Sequence, residues 1–115
     1  MRLWIDDVRP APEGYVWCKS TNNAIKLIKS FEKTALSTYR ENNFEDEILE
    51  RLWIKLIDID HDAGDYVSDG GDYIRLLDWL EETGRNYPIR IHSQNPVGVE
   101  NMRRIIERNG WKEVF

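Results

Sequence analysis

Residues 54–62 read Ile-Lys-Leu-Ile-Asp-Ile-Asp-His-Asp, and this stretch decides the fold. Positions 54–59 are rich in β-branched and apolar side chains and flanked by polar ones, which predicts a buried strand. The strand runs directly into Asp60-His61-Asp62 and then into a loop of Asp and Gly that reaches position 71. Towards the N-terminus the pattern recurs: Arg2-Leu3-Trp4-Ile5 is a short apolar run that stops at Asp6-Asp7. Towards the C-terminus, 88–92 forms another strand, ending in His92-Ser93-Gln94-Asn95.

The segments between these strands carry helical spacing. From Gly71 to Glu82 the residues Ile74, Leu77 and Leu80 align, Tyr73 and Leu76 widen the stripe, and Gly84 ends it. Asn95 as N-cap and Pro96 as first helical residue open a helix whose Val99, Met102 and Ile106 face inward and which Gly110 closes. Residues 15–19 are a second strand. Ser20 or Thr21 then caps a helix with Ala24, Ile28, Phe31 and Ala35 on one face, running to about Thr34 or slightly beyond. An exposed connection is expected over 37–43, a short helix with Ile48, Leu49 and Leu52 over 45–53, and a last edge strand over 111–115. Alternation of this kind predicts a three-layer α/β domain with a mostly parallel sheet of about five strands.

Composition sets the class. The chain has 115 residues, 41% hydrophobic and 32% charged, which fits one soluble domain with a real core over 1–115. Its formal net charge is −5 and no basic stripe interrupts it, so long nucleic acid is not an expected partner. A small phosphorylated ligand is compatible with that charge, because a few arginines and helix amides suffice to hold a phosphate. Cys18 stands alone and reads as a small core residue rather than half of a disulfide or zinc pair. The N-terminus lacks a signal-peptide pattern and no apolar run is long enough to span a bilayer, which gives a cytoplasmic expectation, in its own cell or a host's. A homo-oligomer is left open. There is no Walker loop, no G-x-G-x-x-G and no nucleophile elbow.

In open α/β sheets ligands bind beyond the carboxyl ends of the strands. Here three strand ends deliver polar groups to one edge, and both histidines of the chain, His61 and His92, are among them. Asp6, Asp7, Asp60 and Asp62 are candidate ligands of a divalent cation, Mg²⁺ or Mn²⁺, the alternative being solvated or turn-capping carboxylates. A histidine in the set shifts preference towards Mn²⁺, Zn²⁺ or Fe. His61 and His92 are candidate ligands or a proton-transfer pair; a metal-free variant has aspartates setting their tautomers. Asp58 shares the parity of Asp60 and Asp62 but lies inside the strand, and reads as a structural carboxylate bonded to a neighbour. Ser93, Asn95 and the amides of Val97, Gly98 and Val99 form a candidate anion pocket, with Gly98 allowing close approach of a ligand. Arg9, in a proline-stiffened loop, is either a phosphate clamp or a salt-bridge partner of Asp6 and Asp7.

Trp-Ile-Asp-Asp-Val-Arg-Pro-Ala-Pro-Glu-Gly at 4–14, Ile-Asp-His-Asp-Ala-Gly-Asp at 59–65 and His-Ser-Gln-Asn-Pro-Val-Gly at 92–98 resemble the cyclic-phosphate processing receiver-like family. Asp-Gly-Gly-Asp-Tyr at 69–73 and the helix after it are also similar, while 36–53 looks like an insertion. The resemblance implies a fold derived from response-regulator receivers, receiver- or flavodoxin-like, and a role in handling cyclic phosphates. By position, Asp6 and Asp7 match the receiver's acidic pair, and Asp60 its phosphoacceptor. Two departures stand out. The last strand ends without the receiver's lysine, and 6–14 leaves no room for a first crossover helix. A parallel crossover normally needs a dozen or more residues, so the second strand is expected to be antiparallel or irregular. The phosphorelay role is disfavoured. A cyclic-phosphate phosphodiesterase and a module that only sequesters a nucleotide-like signal are the two functions to separate.

Overall fold

The computed structural model describes residues 1–41 and 53–115. Four parallel strands form the sheet: β1 (Arg2–Ile5), β2 (Tyr15–Cys18), β3 (Leu56–Ile59) and β4 (Ile89–Ile91), in the order β2-β1-β3-β4. Three helices accompany them: α1 (Thr21–Glu41), α2 (Ile74–Glu82) and α3 (Pro96–Asn109). A single 3-10 turn, Gly64–Tyr66, lies between β3 and α2. The short helix expected over 45–53 falls almost entirely outside the described residues.

The second strand corrects the expectation of an antiparallel or irregular neighbour: it pairs parallel to β1, with Leu3 opposite Val16 and Ile5 opposite Cys18. No crossover helix is needed because the strands have only four residues each, so an extended loop over 6–14 can return the chain. The fifth strand, expected over 111–115, is reduced to one parallel bridge between Ile89 and Glu113.

Residue parity divides the sheet. Leu3, Ile5, Ile57, Ile59 and Ile89 are fully buried on one face with Leu76, Leu77, Leu80, Met102 and Ile106 of the helices. Burial of each such side chain contributes about 1.5–3 kcal/mol. The helices pack side by side on this face, α2 against both α1 and α3. Right-handed crossovers advancing in one direction along the sheet require that placement. The other face carries Arg2, Trp4, Asp58 and Arg90, in register across β1, β3 and β4. No described helix lies over it, so the described residues form two layers where three were expected.

Local chemistry fixes the helix ends. The Asn23 amide donates to Ser20 Oγ at 3.0 Å, capping α1. That helix continues to Glu41, past the expected stop near Thr34, because nothing from 35 to 41 breaks it; Leu36 and Ser37 simply face solvent. The α2 helix starts at Ile74 rather than Gly71, since Gly70 and Gly71 adopt φ of 109° and 86°, which no helix accommodates. The Asn95 side chain accepts from the Gly98 amide at 3.0 Å, and Gly110 closes α3 at φ 66°. Cys18 is fully buried, and burial pushes its thiol up to about 12. No described helix is long and apolar enough to cross a membrane.

Candidate functional site

Because all four strands are parallel, their carboxyl ends share one edge. There β1 continues into Asp6-Asp7, β3 into Asp60-His61-Asp62 and β4 into His92-Ser93. One carboxylate oxygen from each of Asp6, Asp7 and Asp60 falls within 4.8 Å of the others. Asp62 is not in this group; it lies with His61 and Asp72 in a second cluster.

The three carboxylates differ in what they already hold. Asp6 is fully buried, and its Oδ1 accepts the amides of Val8 at 3.0 Å and Arg9 at 2.9 Å. Its Oδ2 meets His92 Nε2 at 2.9 Å. Burial pushes the Asp6 carboxyl up, but the Arg9 and Val8 amides and then His92 outweigh it and hold it below its ordinary value. Asp60 Oδ1 accepts the His61 amide at 2.7 Å. Asp7 forms a side-chain hydrogen bond with Asp6. Burial raises its carboxyl, its own amide pulls it down, and the charges of Asp6 and Asp60 push it up again, leaving it above the ordinary value. Among the described residues no lysine or arginine forms an ion pair with Asp7 or Asp60. A loop glycine makes room for this edge: Gly64 has φ 53°, and a Cβ there would overlap Asp7 Oδ2.

The two histidines occupy different environments. His92 is engaged at both ring nitrogens, Nδ1 to Asp58 Oδ1 at 2.6 Å and Nε2 to Asp6 Oδ2 at 2.9 Å. Its ring stacks on Trp4 with centroids 3.8 Å apart and planes 4° from parallel. His61 is engaged only at Nδ1, 2.7 Å from Asp62 Oδ1, with the Asn95 amide 3.5 Å away. Its Nε2 has no hydrogen-bond partner among the described residues. The bond from His61 holds the Asp62 carboxyl below its ordinary value against slight burial. The loop beneath is fixed by the Tyr73 amide donating to His61 O at 2.9 Å and the Ala63 amide donating to Asp72 Oδ1 at 3.0 Å.

The remaining expected residues are nearby in varied roles. Arg9 forms no ion pair with Asp6 or Asp7; its exposed guanidinium donates to His92 O at 3.3 Å. Ser93 Oγ accepts the Asn95 amide at 3.2 Å, and Asn95 caps α3 while donating to Asp62 at 3.3 Å. The open side of Gly98 is taken by the His61 ring, which a Cβ there would overlap. Its missing side chain therefore seats a histidine of the chain itself. Sequence reasoning missed Asp72, Gly64 and Trp4, and set Asp58 aside. Asp58 is a charged residue within the apolar run of β3, on the face opposite Ile57 and Ile59, and that was the available signal for it.

A sequence model described as the cyclic-phosphate processing receiver domain matches residues 1–38 and 42–108. The chain belongs to this family. Its α/β architecture with a parallel sheet agrees with a receiver-like fold, and the family's name attaches it to cyclic-phosphate processing. No curated protein and no solved structure gave a match.

Proposed function

We propose that this protein hydrolyses a cyclic phosphodiester, a cyclic nucleotide or a 2′,3′-cyclic end, at the edge formed by Asp7, Asp60 and His61. The observation that carries the reading is the Asp62–His61 pair, whose Nδ1 is held at 2.7 Å while Nε2 has no partner among the described residues. Asp62 accepts from Nδ1–H, which places the lone pair on Nε2. Nε2 takes a proton from water as the new O–P bond forms. The ring P–O ester bond breaks, and its leaving oxygen recovers the proton from Nε2–H. The product is a phosphomonoester, and the imidazole returns to its starting state. His92 does not share this task, since both its nitrogens are bonded to carboxylates. Arg9, exposed at the mouth, is the group we assign to the phosphate.

The donor set fits a divalent cation, Mn²⁺ or Mg²⁺. Three carboxylates lie together, and among the described residues no lysine or arginine forms an ion pair with Asp7 or Asp60. Bound there, with Asp6 completing the set, it would supply polarisation of the phosphoryl oxygens. A module that holds the same ligand without cleaving it is the second reading. It gains from the engagement of His92, which leaves one histidine where two were expected for proton transfer.

A mass-spectrometric screen of cyclic mono- and dinucleotides, in Mn²⁺ and in EDTA, tests both. We expect conversion of one ligand in Mn²⁺ and none in EDTA. Full conversion in EDTA removes the cation from the account. A ligand retained by the protein and recovered intact after denaturation replaces hydrolysis by sequestration.

A further inference from the structure

Asp58 lies in the middle of β3, fully buried, and the hydrolytic reading gives it no task. Its Oδ1 is 2.6 Å from His92 Nδ1, and His92 Nε2 is 2.9 Å from Asp6 Oδ2. Asp6 Oδ1 in turn anchors the amides of Val8 and Arg9, the residues that follow Asp7. The four links make one continuous chain from the sheet interior to the loop that carries Asp7 and Arg9. Its other groups are also accounted for: Trp4 stacks on the His92 ring, and Arg90 Nη1 stands 3.6 Å from Asp58 Oδ2. That oxygen is buried without a hydrogen bond. Two buried carboxylates on one imidazole are costly unless each is answered by a donor. Each ring nitrogen of His92 stands within hydrogen-bond distance of one buried carboxylate oxygen, so the imidazole is clamped from both sides. A histidine bonded to Asp6 alone could turn or exchange tautomers; the second carboxylate removes that freedom.

We propose that Asp58 is a positioning residue: acting through His92, it fixes the Asp6 carboxylate and thereby the loop bearing Asp7 and Arg9. The assignment rests on reading this edge as the functional site, but its test needs no substrate. Amide exchange at Val8 and Arg9 reports how firmly Asp6 is held, and NMR of the His92 ring reports how firmly Asp58 holds Nδ1. In Asp58→Asn we expect exchange at Val8 and Arg9 to accelerate about tenfold, with Leu77 and Met102 unchanged. The His92 Nδ1–H resonance shifts upfield as its acceptor loses charge. In a His92→Gln background the same substitution has no further effect on Val8 and Arg9, because the link is already cut. Wild-type exchange rates in folded Asp58→Asn, or an equal acceleration in both backgrounds, overturn the proposal. Should Asp58→Asn not fold, the wild-type ring decides: a His92 Nδ1–H protected from solvent exchange supports the assignment, and one exchanging as fast as an exposed imidazole overturns it. Mn²⁺ titration of the same samples separates this result from the function. Loss of Mn²⁺ binding in wild type contradicts the cation, while the exchange and ring signals still judge Asp58.

Discussion

Histidine 61 differs from histidine 92 by what surrounds each ring nitrogen, and that difference assigns their roles. Asp62 holds His61 Nδ1 at 2.7 Å, so Asp62→Asn should keep the fold and lower turnover by about 10–100-fold, read from initial rates. Gly98 seats the same ring from below. Gly98→Ala should therefore cost about 1–3 kcal/mol in urea unfolding and displace His61, lowering activity together with stability. At this scale the sequence showed which residues reach the edge but not which partner each one takes. The clustering of Asp6, Asp7 and Asp60 follows from strand ends alone, and so was legible. The bond of His92 to Asp58 depends on the lateral register of β3 against β4, which no local pattern encodes. For the same reason Gly98 was read as an approach for ligand when it is the floor beneath His61.

Among the elements, helix ends and strand ends were the most legible because their chemistry is local. Asn95 and Pro96 begin α3 as their side chains dictate. Asn95→Ala should cost about 1 kcal/mol in thermal unfolding, and it also removes the donor to Asp62. The overrun of α1 to Glu41 was not legible, since an exposed helical turn buries no stripe. The direction of β2 was hidden because the rule for parallel crossovers assumes longer strands than these. Contacts between elements also set acid stability. Glu32 on α1 receives Arg85 at 2.9 Å and the Tyr87 hydroxyl. Burial pushes its carboxyl up, but these two partners hold it below its ordinary 4.5. A depressed carboxyl stabilises the fold above the unfolded value, and the contribution fades as pH falls through the folded one. Glu32→Gln should therefore lose about 1 kcal/mol at neutral pH and show a flatter decline below pH 4.5, measured by urea midpoints.

The whole molecule concentrates negative charge where its four strands end, and that placement opposes its own stability. Burial raises the Asp7 carboxyl, and the charges of Asp6 and Asp60 raise it further. Asp60→Asn should accordingly raise the melting temperature in EDTA, by about 0.5–2 kcal/mol in stability, while abolishing the stabilisation that Mn²⁺ gives the wild type. The two described layers were not foreseen, because periodicity tells which side of a strand is apolar but not that the helical crossovers β2→β3 and β3→β4 advance the same way. One face of the sheet consequently holds the core, and the other carries Trp4 and the Asp58–His92–Asp6 chain into the site edge. The account stands most directly on His61. With the cyclic phosphate converted in the screen, wild type and His61→Ala are compared by ³¹P NMR in Mn²⁺ for appearance of the phosphomonoester. The account predicts a loss of roughly 10²–10⁴-fold in a folded variant that still binds the ligand. Unchanged turnover in that variant would contradict it.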